Sequence, residues 1–162
     1  MTELKKKILL IDLDLRKPSV HKMFKLSNKK GLTDILKNKD DYKTYLNNVY
    51  PGLDVLSSGM IPANPAEIIN SKALKELLKE VSQVYDYIFL DTPPVIMISD
   101  PIAISMFSDA VILAVKHGDT ERDLAKRAVE SLKQVNANII GAVLNDIPVS
   151  KQSNYYYYAS YE

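Results

Sequence analysis

Two short apolar runs that end in aspartate set the frame for this chain: "KILLID" at 7–12 and "YDYIFLD" at 85–91. Runs this short cannot make a free-standing helix. They suit strands buried on both faces, as in a parallel sheet. Further strand-like runs stand at 53–59 ("LDVLSSG"), 109–115 ("DAVILAV") and 138–146 ("NIIGAVLND"). Helical patterns lie between them. "GLTDILKN" at 31–38 predicts a short helix, and "IPANPAEII" leads into another after its two prolines. Ser71 is placed to cap a helix on which Leu74, Leu77, Leu78, Val81 and Val84 share a face. "DPIAISMFS" at 100–108 has Pro101 at a first helical position. In "DTERDLAKRAVESLKQV" at 119–135, Leu124, Ala128, Leu132 and Val135 line one side, with Thr120 and Asp123 spaced as a capping box. Strands alternating with helices predict an α/β fold: a mostly parallel sheet flanked by helices on both faces.

The 162 residues suffice for one core that buries roughly 70% of its unfolded surface. Residues 1–147 are expected to form that domain, with 148–162 as a flexible tail outside it. The net charge of +1 gives no field that favours nucleic acid. Without cysteine there are no disulfides or thiolate metal sites, and His21 and His117 lie too far apart in sequence to suggest a zinc site. No apolar run approaches the roughly 20 residues needed to span a bilayer. The five-residue run before Asp12 is too short for a signal peptide. A cytoplasmic setting is expected, with Lys5, Lys6 and Lys7 as a solvated strand edge.

In open α/β sheets ligands bind beyond the carboxyl ends of the strands. Asp12 and Asp14 in "LLIDLDLRKP" (9–18) and Asp91 in "IFLDTPP" (88–94) therefore gather on one rim. A single aspartate there would be an ordinary turn or helix cap. Two acid-ended strands, one carrying D-x-D-x-R, point instead to a cation among carboxylates that otherwise repel. Mg²⁺ with a phosphate is the natural guest.

At this point the sequence resembles a known family. "ILLIDLDLRKP" is similar to the Walker A′ motif of the bacterial tyrosine kinases that control capsule and exopolysaccharide synthesis, P-loop NTPases related to MinD and ParA. "GLTDIL", "LDVLSSGMIPANPAEII", "YDYIFLDTPP", "DAVILAV", "IIGAVLND" and the tyrosine-rich end follow in family order. The resemblance implies ATP and Mg²⁺ as cofactors. By it, Asp12 helps hold the Mg²⁺ water shell and accepts the proton of the incoming tyrosine hydroxyl. Asp14 supports that site, and Asp91 binds Mg²⁺ through water as a Walker B acid. Asn145 matches the position that reads the adenine edge; its own surroundings suit a strand-end turn equally well. Arg16 is placed to reach a phosphate or a neighbouring subunit, to pair with Asp14, or to lie in solvent. The implied partners are a membrane-embedded polysaccharide co-polymerase or activator, further copies of the chain, and a phosphotyrosine phosphatase. The implied place is the cytoplasmic side of the membrane, reached through a partner.

One expected part is missing from the sequence. A P-loop needs G-x-x-x-x-G-K-[ST], whose backbone N–H groups cradle phosphates. None of the five glycines, at 31, 52, 59, 118 and 141, is followed by lysine. In the family the loop lies upstream of the A′ strand. A gene fragment or a pseudoenzyme completed by a partner are both readings of this, and the polypeptide alone is expected to lack useful kinase activity. Loss of a P-loop strand and helix is also expected to expose strand edges and an apolar patch.

The chain ends "NYYYYASYE". Consecutive tyrosines suit neither a helix face nor a half-buried strand, although tyrosine is a good strand former. Tyr155, Tyr156, Tyr157, Tyr158 and Tyr161 make better sense as phospho-acceptors. Two other functions fit parts of the sequence. A non-catalytic phospho-acceptor module agrees with the missing loop. A positioning ATPase of the MinD/ParA type agrees with the acidic rim but gives no reason for the tyrosines.

Overall fold

The run at 7–12 becomes the central strand of a four-stranded sheet. In the computed structural model, which describes residues 6–148, β1 (Ile8–Asp12) lies between β3 (Leu53–Leu56) and β4 (Tyr87–Asp91), parallel to both. A short edge strand, β2 (Asn47–Tyr50), pairs antiparallel with β3 and completes the order β2-β3-β1-β4. The mainly parallel sheet agrees with the sequence reading. β2 was not foreseen, because "NNVY" has neither an apolar run nor a clean alternation.

Side chains of odd number on β1 face the core. Leu9 and Ile11 are buried with Leu56 from β3 and with the helices α2 (Leu32–Asn38), α3 (Pro65–Ile69), α4 (Lys72–Val81) and α5 (Asp100–Ser105). The helix starts are chemically plain. Ser71 accepts the N–H of Leu74 at 3.1 Å, as its position predicts, and Asp34 accepts the N–H of Gly31 at 2.8 Å. Leu74, Leu77 and Val81 turn inward on α4, whereas Val84 lies beyond the helix and is exposed.

The other face of this sheet is less covered. Ile8, Leu10, Leu53 and Phe89 line an open apolar groove of about 400 Å³ that reaches Asp91. β4 is the last strand of its sheet, and Tyr87 and Phe89 are exposed on it. A short helix, α1 (Val20–Met23), lies beyond β1, and the Phe24 ring next to it meets Tyr50 edge-on.

The chain divides into two compact units, Met1–Phe107 and Ser108–Glu162. The second contains a right-sized βαβ element: β5 (Val111–Lys116) and β6 (Ile139–Asn145) pair in parallel, joined through α6 (Arg122–Gln134). Ala128 and Leu132 are buried on α6, while Leu124 is more than a third exposed. The expected capping box does not form there. Glu121 stands at the cap position with no side-chain bond, and the Thr120 hydroxyl instead accepts the N–H of Lys116 at 3.0 Å.

Candidate active site

The acidic strand ends meet because β1 and β4 are neighbours in register. Asp12 is the direct partner of Asp91, and the N–H of Leu13 bonds to the Asp91 carbonyl at 2.8 Å. Adjacent strands lie about 4.8 Å apart, so two carboxylates on the same face of the pleat are forced together. Asp12 is fully buried.

The chain after β1 wraps around these acids. Asp12 accepts the N–H of Asp14 at 3.2 Å and those of Ser19 and Val20 at 3.1 Å each. Asp14 accepts the N–H of Arg16 at 3.1 Å and of Lys17 at 2.8 Å. Two aspartates thus hold the loop 12–20 from inside, a use of short acidic side chains that suits turns.

The Arg16 side chain pairs with Asp100. Its guanidinium donates to Asp100 through Nε at 2.9 Å and Nη2 at 3.4 Å. Asp100 stands in the first turn of α5 with its side chain only 4% exposed. This acid is the site residue that sequence reading missed. Pro101 marked the helix start correctly, but nothing local pairs a residue with one 84 positions away.

Burial pushes the Asp12 carboxyl above the ordinary carboxylate range, although the N–H groups of Val20, Asp14 and Ser19 pull the other way. Asp91 has no such compensation. Burial first, then the charges of Asp12 and Asp14, push it up to about 6. None of the ion pairs among the described residues involves Asp12 or Asp91.

That donor set bears on Mg²⁺. No cluster of three or more His, Cys, Asp or Glu among the described residues could enclose a metal. Mg²⁺ is commonly held by one or two carboxylates, its own waters and substrate phosphates. Two adjacent carboxylates, Asp12 fully buried and Asp91 half-buried, both pushed above the ordinary carboxylate range and without a cationic partner, fit that second kind of site.

The strand on the other side of β1 ends in a rigid latch. The Asn28 side chain donates to Ser58 Oγ at 3.1 Å and to the Gly59 carbonyl at 2.7 Å, and its oxygen accepts the Gly59 N–H at 3.1 Å. Gly31 and Gly59 touch so closely that a Cβ on Gly31 would lie 2.2 Å from the Ser57 carbonyl oxygen. Glycine is required at 31 for space.

Asn145 belongs to the second unit. It ends β6 opposite Lys116, and its side-chain oxygen accepts the N–H of Asp146 at 2.9 Å, a strand-end turn. Tyr155, Tyr156, Tyr157, Tyr158 and Tyr161 lie outside the described residues.

The AAA domain family matches residues 1–145. The kinase domain of VpsO is 32% identical with a TM-score of 0.84, over 91% of this chain and 74% of that structure. Tyrosine-protein kinase YwqD of Bacillus subtilis (strain 168) is 41% identical over 156 residues, covering 96% of this chain and 66% of YwqD. The chain belongs to the bacterial tyrosine-protein kinases of the AAA domain family. The kinase domain of Escherichia coli tyrosine kinase Etk agrees in fold, with a TM-score of 0.85 at 29% identity over 94% of this chain and 60% of that domain. The chain thus spans just under two thirds of the kinase YwqD. Among the described residues no helix is long and apolar enough to cross a membrane.

Proposed function

We propose that this chain provides the acidic rim and the acceptor tyrosines of an ATP-dependent protein-tyrosine kinase that acts in the control of capsular or exopolysaccharide synthesis. The observation that carries this reading is the in-register pair Asp12–Asp91, with Asp14 two residues on. In the reaction the tyrosine oxygen forms a bond to the γ-phosphorus and the bond to the β,γ-bridging oxygen breaks, releasing ADP. The phenolic proton goes to a carboxylate. Asp12 suits that part, because burial raises its affinity for a proton. Asp14 shapes the loop that holds Asp12. Asp12 and Asp91 are the residues that would hold the water shell of a nucleotide-bound Mg²⁺, which would supply positive charge against the phosphates. Asn145 is the candidate for the adenine edge. Arg16, committed to Asp100, supports the loop.

The phosphate cradle has to come from residues other than these 162, which contain no G-x-x-x-x-G-K-[ST]. The acceptors are Tyr155 to Tyr158 and Tyr161. A membrane-embedded activator, a ring of further copies and a phosphotyrosine phosphatase complete the proposed setting at the cytoplasmic side of a membrane.

The test is phosphotransfer after a glycine-rich loop, its strand and its helix have been fused ahead of residue 1. Mass spectrometry should find phosphate on the tail tyrosines, and Asp12→Ala should lower the rate by 10²-fold or more, in the range of lost proton-transfer catalysts, roughly 10²–10⁴. Transfer that survives Asp12→Ala unchanged would remove Asp12 from the chemistry.

A further inference from the structure

One stretch of the first unit carries positive charge without counter-charge. Between Asp14 and Asp34 the chain has no acidic residue and six cationic ones: Arg16, Lys17, Lys22, Lys25, Lys29 and Lys30. Arg16 is taken by Asp100, but the five lysines are exposed and make no ion pair among the described residues. The acids that bound the stretch turn inward. Asp14 accepts the N–H groups of Arg16 and Lys17, and Asp34 that of Gly31. The net charge of the whole chain is only +1, so the excess is local.

The backbone that carries these lysines is pinned at both ends. Ser19 and Val20 donate to Asp12 at the end of β1. Beyond β3 the Ser57 hydroxyl donates to the Ser27 carbonyl at 3.4 Å, and the Asn28 side chain holds Ser58 and Gly59. β1 and β3 are neighbours, so the segment leaves and returns at adjacent strand ends. Between the pins, the Lys25 N–H bonds to the Lys22 carbonyl at 3.3 Å and the Leu26 N–H to the His21 carbonyl at 2.8 Å, which closes α1 in a tight turn. Met23, inside that turn, is 76% exposed. The Phe24 ring meets Tyr50, itself 60% exposed. Large apolar side chains thus stand in water on the same turn as unpaired ammonium groups.

We propose that the loop 17–30, with Met23 and Tyr50, docks on an anionic lipid surface. Clusters of lysine are drawn to the negative headgroups of a membrane. Lysine is a flexible, strongly hydrated point charge that suits a diffuse field of headgroups, whereas protein interfaces favour arginine and deplete lysine. Met23 and Tyr50 add apolar surface that can enter the boundary between headgroups and acyl chains. Binding of this kind needs neither nucleotide nor a tail tyrosine, so it stands apart from the kinase reading.

Co-sedimentation of the 162-residue chain with vesicles tests it. Vesicles of phosphatidylglycerol and phosphatidylcholine in equal amounts should retain the chain at low salt and release it as salt rises. Vesicles of phosphatidylcholine alone should not retain it. Lys22→Gln, Lys25→Gln, Lys29→Gln and Lys30→Gln together should weaken retention by about tenfold or more. Lys72→Gln, Lys75→Gln, Lys79→Gln and Lys133→Gln remove the same charge from exposed positions of α4 and α6 and should weaken it by about twofold at most. Met23→Ser with Tyr50→Ser should weaken retention while leaving its salt dependence unchanged.

Three results would overturn the docking surface. Equal retention by phosphatidylcholine would assign binding to exposed apolar surface elsewhere. Equal loss in the two lysine sets would assign it to overall charge. Soluble polyglutamate bound as tightly as the vesicles, with Met23→Ser and Tyr50→Ser without effect, would make the occupant an acidic protein. The first comparison uses the natural chain, so it does not depend on the folding of any variant. The kinase reading fails separately, through phosphotransfer that ignores Asp12→Ala.

Discussion

Asp12 and Asp91 sit side by side but solve the same problem differently. Asp12 is fully buried and recovers part of its lost hydration from three backbone N–H groups. Asp91 recovers none, and its carboxyl is pushed up to about 6, by burial before the charges of Asp12 and Asp14. Linkage turns this into a stability profile. Below the ordinary carboxylate value, near 3.9, Asp91 is protonated whether the chain is folded or not. Between there and about 6 the folded state binds the extra proton, so stability falls as pH rises through that interval and the penalty is complete above it. Part of it is screened at a half-open rim, leaving about 1–2 kcal/mol. Asp91→Asn should therefore be more stable than the natural chain by that amount at pH 7.5, and no more stable at pH 3.5. Urea midpoints at the two pH values check this. A variant equally stabilised at both would place the effect in packing and not in the proton.

At the scale of elements, the loop after β1 is held at two points: Asp12 grips it from within, and Arg16 ties it to the start of α5. The tie matters because the Asp100 side chain is nearly inaccessible and its charge needs a partner. Removing one member of a buried pair costs about 3–5 kcal/mol, whereas removing both charges together can be nearly neutral. Arg16 is 39% exposed, which brings the expected cost of Arg16→Ala below that range. Arg16→Gln with Asp100→Asn should recover most of it. Equal losses in the single and double variants, by chemical denaturation, would show that the guanidinium acts by packing alone. This pair also marks where sequence legibility ends. β1, β3, β4, β5 and β6 were readable from apolar runs, and Ser71 from cap chemistry, because those signals are local. The meeting of Asp12 with Asp91 followed from the rule that parallel strands gather their carboxyl ends. The Arg16–Asp100 pair and the Asn28–Ser58 latch join residues 84 and 30 positions apart, with no periodicity to announce them. Thr120 shows the opposite failure: the local pattern was present, but its hydroxyl found the N–H of Lys116 instead.

At the scale of the whole chain, the question is whether an acidic rim can hold ATP without a phosphate loop. Its own hydrogen bonds argue that it cannot. A phosphate needs free backbone N–H groups turned toward it. In the loop 12–20, the N–H groups of Asp14, Ser19 and Val20 are taken by Asp12, and those of Arg16 and Lys17 by Asp14. Arg16 gives its charge to Asp100. What faces the ligand is carboxylate, and carboxylate repels a polyphosphate unless Mg²⁺ and a set of donors arrive with it. One lost donor to a developing charge already costs roughly 10²–10³ in rate, and here a whole cradle must be supplied. Calorimetry of Mg²⁺·ATP against the 162-residue chain should therefore show no binding heat at millimolar nucleotide. The form fused to a glycine-rich loop should bind, and lose affinity on Asp12→Ala. If the 162-residue chain binds by itself and Asp12→Ala abolishes it, the rim holds nucleotide by some route other than a backbone cradle. The tail gives that distinction a consequence. Phosphorylation of all five tail tyrosines, as proposed, would add roughly −7 to −10 to a chain whose net charge is +1 and would reverse the sign of the molecule.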